Sequence, residues 1–281
     1  MKKTLSFTLI TVLFFTLFIT PKALAHELFI DIKEDRASGE LRIDVLWGHI
    51  RDFLDQANYE NYELYMRDPD ANVEQLPLEK MGVQGRAYLT PLTDGEYVFW
   101  ANRIPNTYTP GDGITRLSVQ MAKTSYQVGD GVETSNEPVN LQLEIVPKTS
   151  VKNFSMGTFT GVVLFGGNAL AGATVTAYGP EDEILEGTTD NDGAFEFNLT
   201  STGQWLLKAT IQTEERGTVD GEDYELTSRT STLLIDNTQG VSAAINSSNN
   251  SNPFTLITIL IIGLFLGAAL TFMYAKKDSK A

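Results

Sequence analysis

Only two histidines occur in this 281-residue sequence, and their positions suggest metal chemistry. His26 directly follows Ala23-Leu24-Ala25, an A-x-A signal-peptidase site. Cleavage after Ala25 would free an α-amine on a residue that already carries an imidazole. The amine and the ring Nδ1 of one residue can chelate a single ion. His49, in Trp47-Gly48-His49, can supply a third nitrogen. Such a set suits copper, nickel or cobalt better than magnesium or calcium. The amine has a reference pKa of ~7.7–8.0, so a metal must displace its proton near neutral pH. Affinity should therefore fall in acid. There is also a plain reading. Signal peptidase reads the residues before the cut, so His26 is then only the residue that follows it, and His49 an ordinary hydrogen-bonded histidine.

The elements on either side decide whether the two rings can meet. Residues 27–32 (ELFIDI) and 41–46 (LRIDVL) alternate apolar and polar side chains, the period of a strand. Gly39 lies in the turn-like stretch between them. Antiparallel pairing would set residue 26 beside residues 45–49. Gly48 would let the backbone turn sharply and aim the ring of His49. A fourth ligand or supporting partner can come from Glu27, Asp52, Asp55, Met66, Met81 or Met121, and none of them is assigned. Carboxylates often orient histidine ligands, whereas scattered methionines usually fill cores.

Further strands are expected at residues 96–101, 115–121 and 139–146, with residues 50–57 either one helical turn or a loop. Pro147-Lys148-Thr149-Ser150 reads as a boundary. After it come a strand at 157–165, a turn at Gly166-Gly167-Asn168 and a returning strand at 172–178. Asp192-Gly193 reads as a hairpin signal before 194–199, and strands at 205–211 and 229–235 follow. Asp190, Asn191 and Asp192 lack the spacing of a calcium loop, so a turn explains them better. Tyr59, Tyr62, Tyr65 and Tyr108 read as strand residues rather than a binding rim. The expected fold is all-β: two consecutive β-sandwich domains at 26–147 and 148–236, the first carrying the metal site, plus a C-terminal transmembrane helix.

The two ends read as targeting and anchoring segments. Lys2 and Lys3, the apolar run 9–19 and Pro21 make residues 1–25 a signal peptide, an uncleaved anchor being the alternative. Residues 237–253 form a polar stalk. Residues 254–274 carry no charge and are long enough to span a bilayer as a helix. Gly263 and Gly267 give it a small-xxx-small spacing, a weak sign of a helical partner. Lys276, Lys277 and Lys280 place the tail 275–281 in the cytoplasm. The chain is thus expected in the cell membrane, single-pass, with its N-terminal body extracytoplasmic. It has no cysteine, which removes disulfides, thiolate ligands and thiol nucleophiles. Its net charge of −15 disfavours nucleic acid and favours cations.

Residues 161–163, 169–175 and 189–195 resemble a carboxypeptidase-regulatory or transthyretin-like sandwich. The whole body resembles the DUF4198 family. The matching pieces are Ala25-His26-Glu27, the Lys123-Thr124 strand, Leu143-Glu-Ile-Val-Pro147, Gly193-Ala-Phe-Glu-Phe and Gly203-Gln-Trp205. Members of that family include extracytoplasmic accessory components of nickel and cobalt transporters of the energy-coupling-factor type. The resemblance implies capture of nickel or cobalt outside the membrane and hand-off to transporter permease subunits.

The leading expectation is therefore a metal-binding accessory protein, not an enzyme, holding its ion through His26 and His49. One alternative is a copper-binding protein, for copper handling or as a polysaccharide mono-oxygenase. Another is a metal-free surface scaffold or adhesin. The sequence contains no recognisable Ser/His/Asp set, phosphate loop or nucleotide fingerprint.

Overall fold

The computed structural model describes residues 26–51 and 53–238. The predicted signal peptide, the transmembrane helix 254–274, the tail, nearly all of the stalk and Asp52 lie outside the described residues. Among the described residues no helix is long and apolar enough to cross a membrane.

The described chain is all-β. Its first half contains β1 (Glu27–Asp35), β2 (Glu40–Gly48), β3 (Tyr62–Arg67), β4 (Val73–Leu76), β5 (Glu79–Met81), β6 (Gln84–Leu89), β7 (Gly95–Tyr108) and β8 (Arg116–Val128). Next come β9 (Leu143–Pro147), β10 (Gly157–Phe165), β11 (Asn168–Ala169), β12 (Thr174–Tyr178), β13 (Ile184–Thr188) and β14 (Ala194–Leu199). The last strands are β15 (Gln204–Thr213), β16 (Gly217–Val219), β17 (Glu222–Tyr224) and β18 (Leu226–Asp236). A four-stranded sheet runs β1-β2-β6-β5, and β10 gathers β9, β11 and β14 into another.

The main sheet has eight strands in the order β13-β12-β15-β18-β8-β7-β3-β4. It passes through both halves of the sequence. Its seam is the parallel pairing of β18 with β8, in register from Leu226↔Arg116 to Leu234↔Thr124. The apolar packing crosses the midpoint too. Trp100 and Met121 from the first half pack with Phe159, Val175 and Trp205 from the second. Strand β9, expected to finish the first sandwich, hydrogen-bonds to β10 of the second.

The first hairpin is buried on both faces. Leu28, Ile30, Leu41, Ile43 and Val45 face a core shared with Leu64, Phe99 and Ala122. Phe29 and Leu46 point the other way, onto Leu206 and Leu234 of the second half. Thr232 Oγ1 donates to the Leu28 carbonyl at 2.5 Å, and Gln204 Nε2 to Asp31 Oδ1 at 2.7 Å. The hairpin is therefore locked at the end where His26 sits.

Two local expectations change. Asp192-Gly193 does not close a hairpin between neighbouring strands, because β13 and β14 lie in different sheets. Asp190 Oδ1 accepts from the amides of Asp192 and Ala194, and this turn carries the chain from sheet to sheet. Likewise β12 does not return along β10. Only the two residues of β11 do, and β12 then joins the main sheet.

Candidate metal centre

The β1–β2 register pairs Glu27 with Gly48, so His26 and His49 stand opposite each other at the open end of the hairpin. Their ring centroids are 4.9 Å apart. Gly48 makes this possible. Its φ is +146°, and a Cβ there would lie 2.4 Å from the Phe53 carbonyl oxygen. The backbone after it is a loop rather than a helical turn at the described residues 50, 51 and 53–57. It folds back so that His49 N–H donates to Phe53 O at 2.9 Å and Asp55 N–H to Trp47 O at 2.8 Å. Arg51 ties the loop to the second half by donating to the Glu183 carbonyl at 2.5 Å.

Each ring has a carboxylate beside one of its nitrogens. His26 Nε2 lies 2.6 Å from Asp55 Oδ2. The approach is off the ring N–H axis, so the carboxylate lies close to this buried nitrogen without an aligned hydrogen bond. His49 Nδ1 lies 3.6 Å from Glu27 Oε2. Both side chains of the second pair are buried, Glu27 at 4% exposure and His49 at 8%. The other oxygen of Glu27 takes Lys208 Nζ at 2.9 Å, and Tyr178 OH lies 2.7 Å from the same ammonium. Burial works against the charge of Lys208, but Glu27 and Tyr178 prevail and hold its pKa above the ordinary lysine range.

These contacts sort the ring nitrogens by role. Asp55 engages Nε2 of His26 and leaves Nδ1, the atom that can close a chelate with the α-amine of the same residue. Glu27 engages Nδ1 of His49 and leaves Nε2. A carboxylate beside a non-ligating nitrogen commonly helps orient a histidine ligand; here both carboxylates lie close without an aligned hydrogen bond. Aromatic rings close the surroundings. Trp47 stacks on His26 at 5.7 Å, and Phe53 meets both imidazoles edge-on at 6.2 and 5.3 Å. Among the described residues no group of three or more His, Cys, Asp or Glu side chains is arranged to hold an ion. The two imidazoles are thus the nitrogen donors that the described residues bring together, and an α-amine joins them only if cleavage after Ala25 frees it. Of the other sequence candidates, Met66 and Met121 are buried in the two cores and Met81 lies exposed on β5.

Beside His26 and Trp47 opens a cleft of about 400 Å³. Its floor is one end of the main sheet, built from β15, β18, β8 and β7. The registers set Thr210, Thr230, Gln120 and Arg103 in one cross-strand row, and Ser228, Ser118 and Asn106 in the next. Arg103 and Asn106 are three apart and would face opposite sides of a regular strand. A bulge in β7 between them restores the match, so both reach the same floor. Tyr108 and Lys208 complete the walls. Arg103 also lies 4.4 Å over the Trp47 ring. The sequence reading missed Trp47, Arg103 and Lys208 as site residues. The available signal was a charged residue inside an otherwise apolar strand, as with Lys208 in β15.

Motifs quoted for the family occupy structural positions. Lys123 and Glu144 form a fully buried pair at 2.8 Å. Lys123 Nζ also donates to the Ser135 and Glu137 carbonyls, and Glu144 accepts from the amides of Val139 and Leu141. Burial pushes the Lys123 pKa down, against the pull of Glu144. Thr124 Oγ1 donates to Leu234 O across the seam at 2.9 Å. Trp205 is fully buried and donates to Ser201 O at 3.0 Å.

Comparison with solved structures finds distant likenesses. A bacterial ice-binding adhesin of 1.5 MDa, studied for host cell surface retention, is 12% identical at a TM-score of 0.20, covering 74% of this chain and 64% of its own. A calcium-stabilised ice-binding adhesin of an Antarctic bacterium is 11% identical at 0.20, covering 74% and 48%. The BSP domain of a biofilm-associated protein is 11% identical at 0.18, covering 78% and 54%. The chain spans less than two thirds of each, and scores this low carry no argument. No curated protein matches the chain. A family model is more informative. It matches residues 23–213, more than half of the chain, and takes in both histidines, the carboxylates beside them and the whole stretch from β1 to β15. Its description is a domain of unknown function, DUF4198, and the chain belongs to that family.

Proposed function

We propose that this protein captures a transition-metal ion outside the cell as a membrane-anchored accessory component of nickel or cobalt uptake, with the ion as cargo. One observation carries the reading: the chain's only two histidines face each other at 4.9 Å, each with a carboxylate beside the nitrogen that a chelate would not use. On this reading the amine and Nδ1 of His26 and the Nε2 of His49 hold the ion, while Asp55 and Glu27 orient the rings. The role is binding rather than catalysis. The second half is then a carboxypeptidase-regulatory-like module that contributes floor and braces to the site.

The proposal requires His26 to be the first residue of the mature chain. Nickel and cobalt titration of the processed protein should show tight binding. A version carrying one extra residue before His26 should bind more weakly, because the nitrogen at that position becomes an amide that coordinates only after giving up its own proton. Equal binding by both versions would overturn the centre. Uptake at limiting nickel and cobalt should fall with His26→Ala, and unchanged uptake would remove the transport role.

The donor set also supports a second reading. Three nitrogens and no assigned oxygen donor favour copper by the ordinary affinity order. Copper handling would then replace nickel or cobalt delivery at the same residues. Competition among the three ions, with uptake or tolerance of each measured in the deletion strain, separates the two.

A further inference from the structure

We infer that the cleft beside His26 holds a small, carboxylate-bearing organic molecule that completes the ion's coordination, so that the metal is bound as a chelate rather than bare. This rests on the metal reading above and specifies the form of the cargo. The first argument is donor count. Two imidazoles and an amine leave coordination positions open on nickel or cobalt, and no third His, Cys, Asp or Glu among the described residues is arranged to fill them. Those ligands must come from water or from a second molecule.

The second argument is the charge of the cleft. The chain has 36 acidic residues against 21 basic ones, yet no carboxylate lines this cleft. Its charged residues, apart from His26, are Arg103 and Lys208. Lys208 is committed to Glu27. Arg103 has no carboxylate partner among the described residues; its polar neighbours are the Asn106 side chain and the Tyr62 hydroxyl, and its plane lies over Trp47. An arginine held this way presents its donors to an oxyanion.

The third argument is the floor. Hydroxyls and amides occupy two adjacent rows in the middle of the main sheet. Gln120 is 8% exposed, and its Oε1 has no hydrogen-bond partner. That oxygen is enclosed, so the groups open to a ligand's hydroxyls are the serine and threonine side chains of the two rows. Carboxylates toward Arg103, hydroxyls toward Ser228, Thr210 and Thr230 and free oxygens toward the ion describe a small hydroxycarboxylate. At about 400 Å³ the space is at the lower end of ligand sites.

The test uses the processed full-length protein in detergent, with His26 verified as first residue by mass spectrometry. Equilibrium dialysis is run with nickel alone, with radiolabelled citrate alone, and with both. The expected result is nickel bound in both nickel arms and citrate retained, one per protein, only when nickel is present. Arg103→Gln and Ser228→Glu, at separate points on the floor, should each lower citrate retention at least tenfold with an unchanged melting curve. Should one variant misfold, the other gives the reading. Nickel bound alone but stripped by citrate overturns the chelate and leaves the metal centre standing. Citrate bound equally without nickel, or retained by both folded variants, also overturns it. No nickel in either nickel arm overturns both readings together.

Discussion

Glu27 faces Lys208 through one carboxylate oxygen and His49 through the other. One short side chain thus links the cleft wall to an imidazole of the proposed metal centre. The lysine's pKa is raised above its unfolded value. Its contribution to stability is therefore fully present below the ordinary ~10.4 and is lost only as pH rises through the higher folded value. Across the physiological range Lys208 therefore stays a cation. Glu27→Gln keeps the shape and removes the charge. Outer residues of this kind commonly matter about 10–100-fold to metal affinity. We expect a loss of that size for nickel, read by competition with a chromophoric chelator; an unchanged affinity would show that Glu27 does not orient His49.

Element by element, local alternation revealed the first hairpin, since Leu28, Ile30, Ile43 and Val45 repeat with period two and share a core. The meeting of the histidines followed from that register. The cleft was hidden because the β7 bulge breaks the same period, putting Arg103 and Asn106 on one face. Long-range pairing was equally invisible: nothing near Asp190 tells a hairpin from a crossing between sheets. Strands β4 to β6 escaped notice because they are short and carry several charges. Two turns give sharp tests. Gly48→Ala would force a side chain onto the Phe53 carbonyl at positive φ. We expect a loss of about 2 kcal/mol or more in denaturant unfolding, together with weaker metal binding. In the β7–β8 turn, Asp112 accepts from Ile114 N–H and from Arg116, and chiefly Arg116 brings its pKa down to about 2. A carboxylate depressed in the folded state stabilises above its unfolded pKa. That contribution goes as pH falls through about 2, and NMR titration of the Asp112 carboxyl should show the low midpoint.

For the molecule as a whole, the junction at Pro147-Lys148 is a change in sequence pattern that the hydrogen bonding runs across. β8 pairs with β18 over nine positions, and Thr232, Gln204, Lys208 and Arg51 all bond between the halves. Residues 26–147 alone would expose the β8 edge, Phe29 and Leu46. We expect that fragment to give a collapsed NMR spectrum, whereas the complete body melts in one calorimetric transition. A dispersed fragment spectrum would show two independent folding units. The central place of β18 has a mechanical consequence. It is the last described strand, flanked by β15 on one side and β8 on the other. A pull on the chain beyond Asp236 would load both rows of hydrogen bonds lengthwise, in shear, instead of unzipping them one at a time. Tension from that end would be resisted by both halves at once, and single-molecule stretching would register one high-force rupture rather than a series of small ones.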